Sequence, residues 1–551
     1  MAAVKEEWGS RIGLVLAMAG NAVGLGNFLR FPAQAVRNGG GAFIIPYLVS
    51  FVLMGLPLLW IEWAIGRHGG QYGHHSAPGM MDKLGKYRWL KYAGVFGIFT
   101  NLTIAAYYTY LESWTLGYVY HSIAGTFTGM DAVKVKDFFL FYVGANGDSI
   151  INISGSSLFF FTITFLLNIW ILSRGLSKGI ETASKIGMPL LLAFGVFLAI
   201  RALTLKAGQL NAINDAITGL NFLWNPQFES LADPKVWLAA AGQIFFTLSV
   251  GMGSIHCYAA YLKKNDDIAL NATTAGFTNE FVEVILGGSI IIPIGVAYLG
   301  LDEVQRIVGL SMGFQTMPTL FQNFGPFFAA IAGLAWFGLL FFAGITSSIA
   351  MGQPVVAFIH DEFHLDRKHA VRVYAFLLLI LALPTILFFS HGAFTEYDDW
   401  SGTFSLVLFA LLEAITFAWI FGVDKGWKEI NRGADIKIPS FFKFVIKYIT
   451  PIFLIIIFTS SLISPQNGMW ADAFSSVFAG KGWPLDPNSI IGKLLKIGIS
   501  DTRYFIDGKP TSVFIIDMTR LLLLLTFIAI ALAVAFAWKK NYQPKKKKRK
   551  V

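Results

Sequence analysis

The sequence predicts an all-α membrane protein with twelve transmembrane helices, built on an inverted five-helix repeat in which helices 1 and 6 are broken. Composition is the first indication, because 55% of the 551 residues are hydrophobic and only 14% are charged. The second is a series of apolar segments, each of about the length that crosses a bilayer as a helix. The third is a pair of glycine-containing interruptions, one in the first of these segments and one in the sixth.

Polar boundaries separate twelve apolar segments along the chain. A helix needs about 20 predominantly apolar residues to cross the hydrocarbon core of a bilayer. The predicted spans are 12–36, 42–67, 90–123, 157–173, 182–203, 236–260, 269–299, 328–359, 370–390, 396–421, 441–463 and 513–538. Lysine and arginine concentrate in the connections on one side, which places both termini in the cytoplasm.

The spans and the charge pattern divide the chain into five parts. The predicted parts are a cytoplasmic N-terminal segment at 1–10, a first repeat with helices 1–5 at 11–203, a second repeat with helices 6–10 at 235–422, helices 11 and 12 at 441–539, and a basic cytoplasmic tail at 540–551. A tail of lysine and arginine suggests nuclear import or nucleic-acid contact in a soluble protein. Directly after a span, attraction to anionic lipid explains it better. The bilayer is therefore a predicted partner, and nucleic acid is not.

The stretch Gly20–Asn27 interrupts the first apolar segment. It holds three glycines, each of which costs a helix about 1 kcal/mol relative to alanine. A glycine-rich helix-packing face is the alternative interpretation. Asn21 and Asn27 favour a break, because a packing face does not need side chains that compete with helical hydrogen bonds. Unwound backbone within a membrane is tolerated where it lines a cavity, so we expect the break to bind a ligand.

A second interruption, Phe246–Ser254, lies in the sixth segment and contains Gly251 and Gly253. Breaks at corresponding places in two halves are what an inverted five-helix repeat produces. The freed N–H groups of such breaks favour an anion, and the freed carbonyl groups favour cations.

Several separated motifs resemble the neurotransmitter:sodium symporter family, and within it the prokaryotic leucine transporters. The motifs are Asn21–Pro32, Asn38–Phe43, Glu112–Trp114, Gln243–Ser249, Phe342–Ser348 and Asp399–Thr403. The resemblance runs from about Trp8 to Arg432 and is weaker in the last two spans. It implies sodium-coupled uptake of neutral amino acids by alternating access across the plasma membrane of a prokaryote. It also leaves a homodimer open.

The resemblance implies a substrate site between the two breaks. The backbone amides of Leu25 and Gly26, with the Tyr108 hydroxyl, would hold the substrate carboxylate. The implied substrate-binding residues are Asn21, Ala22, Leu25, Gly26, Ile104, Tyr108, Phe246, Thr247, Ser249, Met252, Ser347 and Met351. Taken alone, Tyr108 would be interpreted as a packing residue, and the neighbouring Glu112–Trp114 motif favours the binding role.

Two sodium sites are implied in the same way, and sodium prefers oxygen ligands. The first implied set is Ala22, Asn27, Thr247 and Asn279, together with the substrate carboxylate. The second implied set is Gly20, Val23, Ala343, Thr346 and Ser347. The first site would couple ion to substrate directly, and the second would tie span 1 to span 8. Without the resemblance, Thr346 and Ser347 would be interpreted as hydroxyls at a helix-packing face.

Glu283 bears on chloride. In chloride-dependent animal members of the family that this chain resembles, the position that corresponds to Glu283 is a serine beside a bound anion. A carboxylate supplies the negative charge within the protein, so the resemblance implies transport without chloride. A purely structural carboxylate is the alternative.

Two pairs of charged residues resemble the gates of the family. Arg30 and Asp398 would close the outer side, where Tyr108 and Phe246 form an aromatic lid. On the inner side, the resemblance implies a closing pair of Lys5 and Asp361, with Trp8 and Tyr261 packed beside it. The family usually has arginine in place of Lys5, and lysine lacks the bidentate geometry of a guanidinium group.

The pocket wall indicates the substrate class. Its side chains are apolar and carry no countercharge, so charged amino acids should be excluded. The resemblance aligns Met252 with a phenylalanine of the leucine transporters. Because methionine is flexible, we expect aromatic amino acids to be accepted as well as aliphatic ones.

Other functions have weaker support in the sequence. A same-fold transporter of a betaine or amine would be expected to carry an acidic side chain near Gly24. An ion channel would need a continuous pore, and a membrane enzyme would need a convergent acid–base or metal set.

Glu62 and Glu413 are predicted to be structural acceptors for the broken backbone. His360 and His364 are spaced for a metal, but a solvated helix end explains them better.

Overall fold

The computed structural model describes residues 6–146, 151, 153–497, 503–506 and 509–541. Helices account for most of this part of the chain. The two short strands Arg503–Ile506 and Lys509–Ser512 pair antiparallel in the connection before the last helix. The predicted all-α class is confirmed, with this small hairpin as an addition.

Within those ranges, nine helices are long and apolar enough to cross a bilayer, and a bent pair makes a tenth span. The pair that forms span 1 is Arg11–Ala22 and Leu25–Arg37. The nine helices are Gly41–Gly70, Gly155–Ser173, Leu176–Leu203, Ile268–Leu299, Pro326–Phe363, Arg367–Leu387, Ala393–Ile430, Phe441–Ile463 and Val513–Asn541. They form spans 2, 4, 5 and 7–12.

Helices also occupy the remaining two predicted spans. Span 3 is Leu90–Ile123, a helix of 34 residues. Its apolarity is reduced by buried polar residues such as Asn101 and Glu112. Span 6 is divided into Pro234–Leu248 and Ser254–Ala259, so neither piece alone is long enough to cross a bilayer.

Several spans extend beyond their predicted ends. The clearest case is span 5, whose apolar segment is 182–203 but whose helix begins at Leu176 with a π-helical turn up to Glu181. Lys178 and Glu181 in that turn are polar, so hydrophobicity alone does not assign them to a span. The shorter helices outside the spans are Ala77–Lys83, Ala132–Tyr142, Ala216–Trp224, Leu301–Ile307, Met317–Phe321, Trp470–Phe478 and Ile490–Leu494.

Both predicted breaks are present, and each is shorter than the sequence suggests. In span 1, Val23 and Gly24 are extended and the two helical pieces meet at 45°. Gly20 to Ala22 remain helical, because the Val23 N–H still donates to the Ala19 carbonyl at 2.7 Å. In span 6 the helix stops at Leu248 and resumes at Ser254.

Left-handed backbone makes the second break. Ser249 has φ of 54°, and Gly251 and Gly253 have φ of 76° and 90°. Glycine adopts this region without the steric penalty that side chains meet, so the two glycines allow the turn. The Gly251 N–H, which no helix satisfies, donates to the Glu62 carboxylate at 2.6 Å.

Spans 3 and 8 lie side by side behind the broken helices. A Cβ atom built on Gly344 would lie 2.9 Å from the Glu112 side chain, which shows how closely the two spans approach. The Asn168 side chain of span 4 donates to the Glu112 carboxylate at 3.2 Å. The Ser348 hydroxyl donates to the side-chain amide oxygen of Asn168 at 2.7 Å. This buried network fixes the scaffold against which the breaks are held.

Candidate functional site

A cavity lies between the two breaks. Spaces between the helices of a bundle are a usual place for small-molecule sites. The lining residues are Asn21, Ala22, Gly24, Gly26, Asn27, Ile104, Tyr108, Phe246, Thr247, Ser249, Met252, Ser347 and Met351. Of the twelve predicted substrate-binding residues, all but Leu25 are in this lining.

The two breaks contact each other beside the cavity. The Leu25 N–H donates to the Tyr108 hydroxyl at 3.0 Å, so Leu25 lies next to the lining through its amide. The Ser249 hydroxyl of the second break donates to the Asn21 carbonyl of the first at 2.9 Å. Both side-chain polar atoms of Asn21 are buried without a partner. Unpaired buried polar groups are costly, and Asn21 is one of the residues that line the cavity.

Glycine is required at the first break because the backbone approaches its neighbours closely. A Cβ atom on Gly24 would lie 2.8 Å from the Tyr108 hydroxyl and 3.0 Å from the Ser347 hydroxyl. A Cβ atom on Gly26 would lie 2.6 Å from the Phe246 ring. These contacts bring spans 1, 3, 6 and 8 together around the cavity.

The side chains predicted for the first sodium site form one buried cluster. The Asn27 amide donates to Asn279 Oδ1 at 2.8 Å and to the Thr247 hydroxyl at 3.2 Å. The Asn279 amide donates to the same hydroxyl at 2.9 Å. Ala22 lines the adjoining cavity. The amide and hydroxyl oxygens of this cluster are of the type that a hard cation prefers.

The five residues predicted for the second sodium site also converge. The Ser347 hydroxyl lies 3.2 Å from the Gly20 carbonyl and 3.3 Å from the Val23 carbonyl. The Thr346 hydroxyl lies 2.9 Å from the Phe342 carbonyl and 3.3 Å from the Ala343 carbonyl within span 8. Thr346 also faces span 1, because a Cβ atom on Gly20 would lie 3.3 Å from its hydroxyl. All of the converging groups are uncharged oxygens, which suits a monovalent cation, and they join span 1 to span 8.

Glu283 lies directly behind the first cluster and is fully buried. Its carboxylate accepts hydrogen bonds from the Gln243 amide at 2.6 Å and from the Asn27 amide at 3.1 Å. It occupies the π-helical segment Phe281–Gly287 of span 7, and π-helical turns often occur at functional sites. A buried carboxyl group is therefore held directly against Asn27, one of the predicted sodium ligands.

The two residues predicted for the outer gate contact different partners. The Arg30 guanidinium carbon is 4.2 Å from the centre of the Phe246 ring, a cation–π contact. The Tyr107 hydroxyl donates to the Asp398 carboxylate at 2.9 Å. No ion pair joins Arg30 to Asp398 among the residues that the structure describes.

The inner gate has partners that the sequence does not suggest. Lys5 lies outside the described residues, so its predicted pairing stays a prediction. The Asp361 carboxylate accepts the His75 N–H and lies 3.0 Å from His75 Nδ1. The His75 ring stacks on Tyr261 with the centres 4.3 Å apart. Trp8 donates from its indole nitrogen to the Tyr258 carbonyl at 3.0 Å.

An ion pair also anchors the N-terminal segment. Arg367 at the start of span 9 contacts the Glu6 carboxylate at 2.8 Å. This ion pair cannot be predicted from the sequence, because Glu6 and Arg367 are 361 residues apart in the chain. The pairing depends on how spans 1 and 9 pack.

The arrangement defines a class of protein. Two membrane-embedded helices break beside a shared cavity, and clusters of uncharged oxygen atoms flank it. That is the architecture of a secondary transporter with its site at the repeat interface.

The comparisons with known proteins identify the family. The model of the sodium:neurotransmitter symporter family matches residues 5–132 and 125–491. The chain therefore belongs to this family, whose members are sodium-dependent transporters. An uncharacterized sodium-dependent transporter of Methanocaldococcus jannaschii is 33% identical over 464 residues, covering 82% of this chain and 89% of the relative.

Two further matches extend the comparison. The sodium-dependent neutral amino acid transporter SLC6A17 of Homo sapiens is 25% identical, over 86% of this chain and 74% of that protein. The crystal structure of MhsT in complex with L-phenylalanine is similar with a TM-score of 0.70 and 30% identity, covering 83% of this chain and all of that chain. This likeness confirms the predicted fold class and the predicted family.

Proposed function

We propose that this protein is a sodium-coupled symporter that takes up neutral hydrophobic L-amino acids by alternating access, with two sodium sites and without chloride. The observation that carries the proposal is the cavity between the two breaks. Its lining combines polar groups of the two breaks with apolar side chains from spans 3, 6 and 8. A zwitterion with an apolar side chain matches both parts.

The cavity walls support a neutral substrate. Ile104, Phe246, Met252 and Met351 contribute apolar surface, and no lysine, arginine, aspartate or glutamate is among the lining residues that the structure describes. A charged substrate side chain would therefore be buried without a partner, at a cost of several kcal/mol. MhsT was crystallised in complex with L-phenylalanine, and the human relative is named for neutral amino acids. Both are consistent with a range that includes aromatic amino acids.

Gly24 favours a substrate with a carboxylate, such as an amino acid, over a simple amine. A transporter for a ligand without a carboxylate would need another negative charge near the first sodium site. At Gly24 even a Cβ atom meets two hydroxyls at 3.0 Å or closer. An acidic side chain has no room there, so the substrate itself should supply the carboxylate.

The oxygen clusters support two sodium ions. Ala22, Asn27, Thr247 and Asn279 would hold the first ion together with the substrate carboxylate, so that ion and substrate stabilise each other. The second ion would be held by Gly20, Val23, Ala343, Thr346 and Ser347. Sodium supplies positive charge that offsets the buried carboxylate, and Glu283 offsets the sodium in turn. No chloride is then needed for charge balance.

The location follows from the family and the charge pattern. Relatives occur in Methanocaldococcus jannaschii, Haemophilus influenzae and Bacillus subtilis. We place the protein in a prokaryotic plasma membrane with both termini in the cytoplasm, as the distribution of lysine and arginine predicts.

Uptake by reconstituted protein tests the proposal. Liposomes carrying the purified transporter should accumulate radiolabelled L-leucine when sodium is outside, and not when potassium replaces it. Replacing external chloride by gluconate should leave uptake unchanged. Excess unlabelled isoleucine, methionine, phenylalanine or tryptophan should compete, and glutamate or lysine should not. Competition by aliphatic amino acids alone would contradict the role assigned to Met252.

A further inference from the structure

Three side chains around the second break converge outside the candidate substrate site. Glu62 comes from span 2, His256 from the half-helix Ser254–Ala259, and Glu413 from span 10. All three are fully buried. One ligand atom from each lies within 4.8 Å of the other two. We call these three residues the buried triad.

The buried triad has unused hydrogen-bonding capacity. Glu62 uses one oxygen to accept the Gly251 N–H, and its Oε2 has no partner. Both carboxylate oxygens of Glu413 and both ring nitrogens of His256 are also without partners. His256 Nδ1 and Glu413 Oε1 are 3.5 Å apart, but they are not aligned for a hydrogen bond. Buried polar groups are almost always paired, and one ligand between the three side chains would pair several of these atoms at once.

The two carboxyl groups of the buried triad favour a cation as the ligand. No lysine or arginine forms an ion pair with Glu62 or Glu413 in the described part of the chain. Two carboxylates buried without a countercharge are strongly unfavourable. One divalent cation would cancel both charges and use the neutral imidazole as a third ligand.

We propose that Glu62, His256 and Glu413 form a site for one divalent transition-metal cation of the zinc type. Zinc accepts imidazole nitrogen and carboxylate oxygen at about 2.0 to 2.2 Å, which puts neighbouring ligand atoms of a tetrahedron about 3.4 Å apart. The 3.5 Å between His256 Nδ1 and Glu413 Oε1 fits that spacing. Because one ligand is nitrogen, the site differs from the all-oxygen sodium clusters.

A bound cation would join three elements that meet at the second break. It would fix the half-helix Ser254–Ala259 to spans 2 and 10. That half-helix begins two residues after Met252, which lines the candidate substrate cavity. Occupancy would therefore restrain the broken helix and should slow transport.

Direct metal binding tests the site without relying on transport. The purified, untagged full-length protein is stripped with a chelator and equilibrated with zinc, and bound zinc is counted by mass spectrometry. We expect one zinc per chain in the wild type. His256→Gln and Glu413→Gln should each weaken binding more than about 10-fold, because even supporting residues around a metal site cost 10-fold or more when replaced. The matched control is His360→Gln, which changes an exposed histidine.

A spectrum keeps the test decisive if a variant folds poorly. Cobalt in place of zinc in the wild-type protein should show the absorption bands of a tetrahedral nitrogen and oxygen site at one equivalent. Zinc that stays bound in His256→Gln and is lost in His360→Gln would show surface binding and overturn the proposal. A stripped wild-type protein that takes up no zinc and gives no cobalt bands would overturn it as well.

Discussion

Gly24 shows at the scale of one residue how the backbone defines the candidate site. We expect Gly24→Ala to weaken leucine uptake more than about 10-fold, because the new Cβ atom would lie 2.8 Å from the Tyr108 hydroxyl and 3.0 Å from the Ser347 hydroxyl. Either hydroxyl must then move away from the place where substrate and ion would bind. Uptake by reconstituted protein measures the loss.

Gly242 is the matched control for that substitution. It lies in the first half of span 6, and a Cβ atom on it meets nothing within 4 Å. Gly242→Ala should therefore keep uptake at the wild-type level. Equal activity of the Gly24→Ala and Gly242→Ala variants would contradict the close approach at the first break.

Glu283 carries the prediction about chloride. Glu283→Ser removes the carboxyl group that we propose supplies the negative charge, and it opens space beside the Gln243 and Asn27 amides that donate to this group. We expect uptake by this variant to require chloride, whereas uptake by the wild-type protein should continue when gluconate replaces chloride. The measurement is uptake at increasing chloride concentration.

Glu283→Gln distinguishes the effect of losing the carboxylate charge from the effect of opening space for an anion. Glutamine has nearly the same volume as glutamate, so it removes the charge without making room for an anion. Uptake by this variant should fall and should not recover with chloride. If Glu283→Ser transports equally well with and without chloride, the carboxylate has no role in charge balance.

At the scale of elements, the second oxygen cluster connects span 1 to span 8. Thr346→Val keeps the shape of the side chain and removes the hydroxyl that lies 3.3 Å from the Ala343 carbonyl. We expect the sodium concentration for half-maximal uptake to rise at least about 5-fold, in line with ordinary coupling energies of about 1 to 3 kcal/mol. Uptake measured as a function of sodium concentration tests this.

Thr385→Val is a suitable control for the sodium prediction. Thr385 is buried in span 9, and its hydroxyl donates to the Ala382 carbonyl at 2.8 Å within its own helix. Removing that hydroxyl leaves both oxygen clusters intact, so sodium dependence should not change. An unchanged sodium dependence in Thr346→Val would remove this residue from the second site.

The elements themselves are largely predictable because their signals are local. Apolar length defines all twelve spans, and the glycines and asparagines of Gly20–Asn27 and Phe246–Ser254 locate both breaks. The lengths of the breaks are not predictable. Whether Ala22 stays helical depends on the bond from the Val23 N–H to the Ala19 carbonyl and on the Asn27 side chain, which accepts the Gly24 N–H at 2.8 Å.

At the scale of the whole molecule, the contacts that the sequence does not reveal are those between distant segments. Asp361 meets His75, which is 286 residues away, and Glu6 meets Arg367. Neither pair follows a motif, because each depends on how whole spans pack. His256 gives no sequence signal for the same reason, since its carboxylate neighbours come from spans 2 and 10.

Family motifs give more of the candidate site than local physics can. Tyr108, Thr346 and Ser347 would each be interpreted alone as packing residues. Their convergence with Gly20 and Val23 joins segments more than 80 residues apart. Resemblance supplies that grouping, and the distances between their oxygen atoms are consistent with it. The binding roles themselves stay predictions.

The central claim is that the two breaks together hold an amino acid and its sodium ions as one unit. Equilibrium binding of radiolabelled L-leucine to the purified protein, compared in sodium and in potassium at equal ionic strength, tests this most directly. We predict saturable binding in sodium that is at least about 10-fold weaker in potassium. Equal leucine affinity in both salts would contradict the claim.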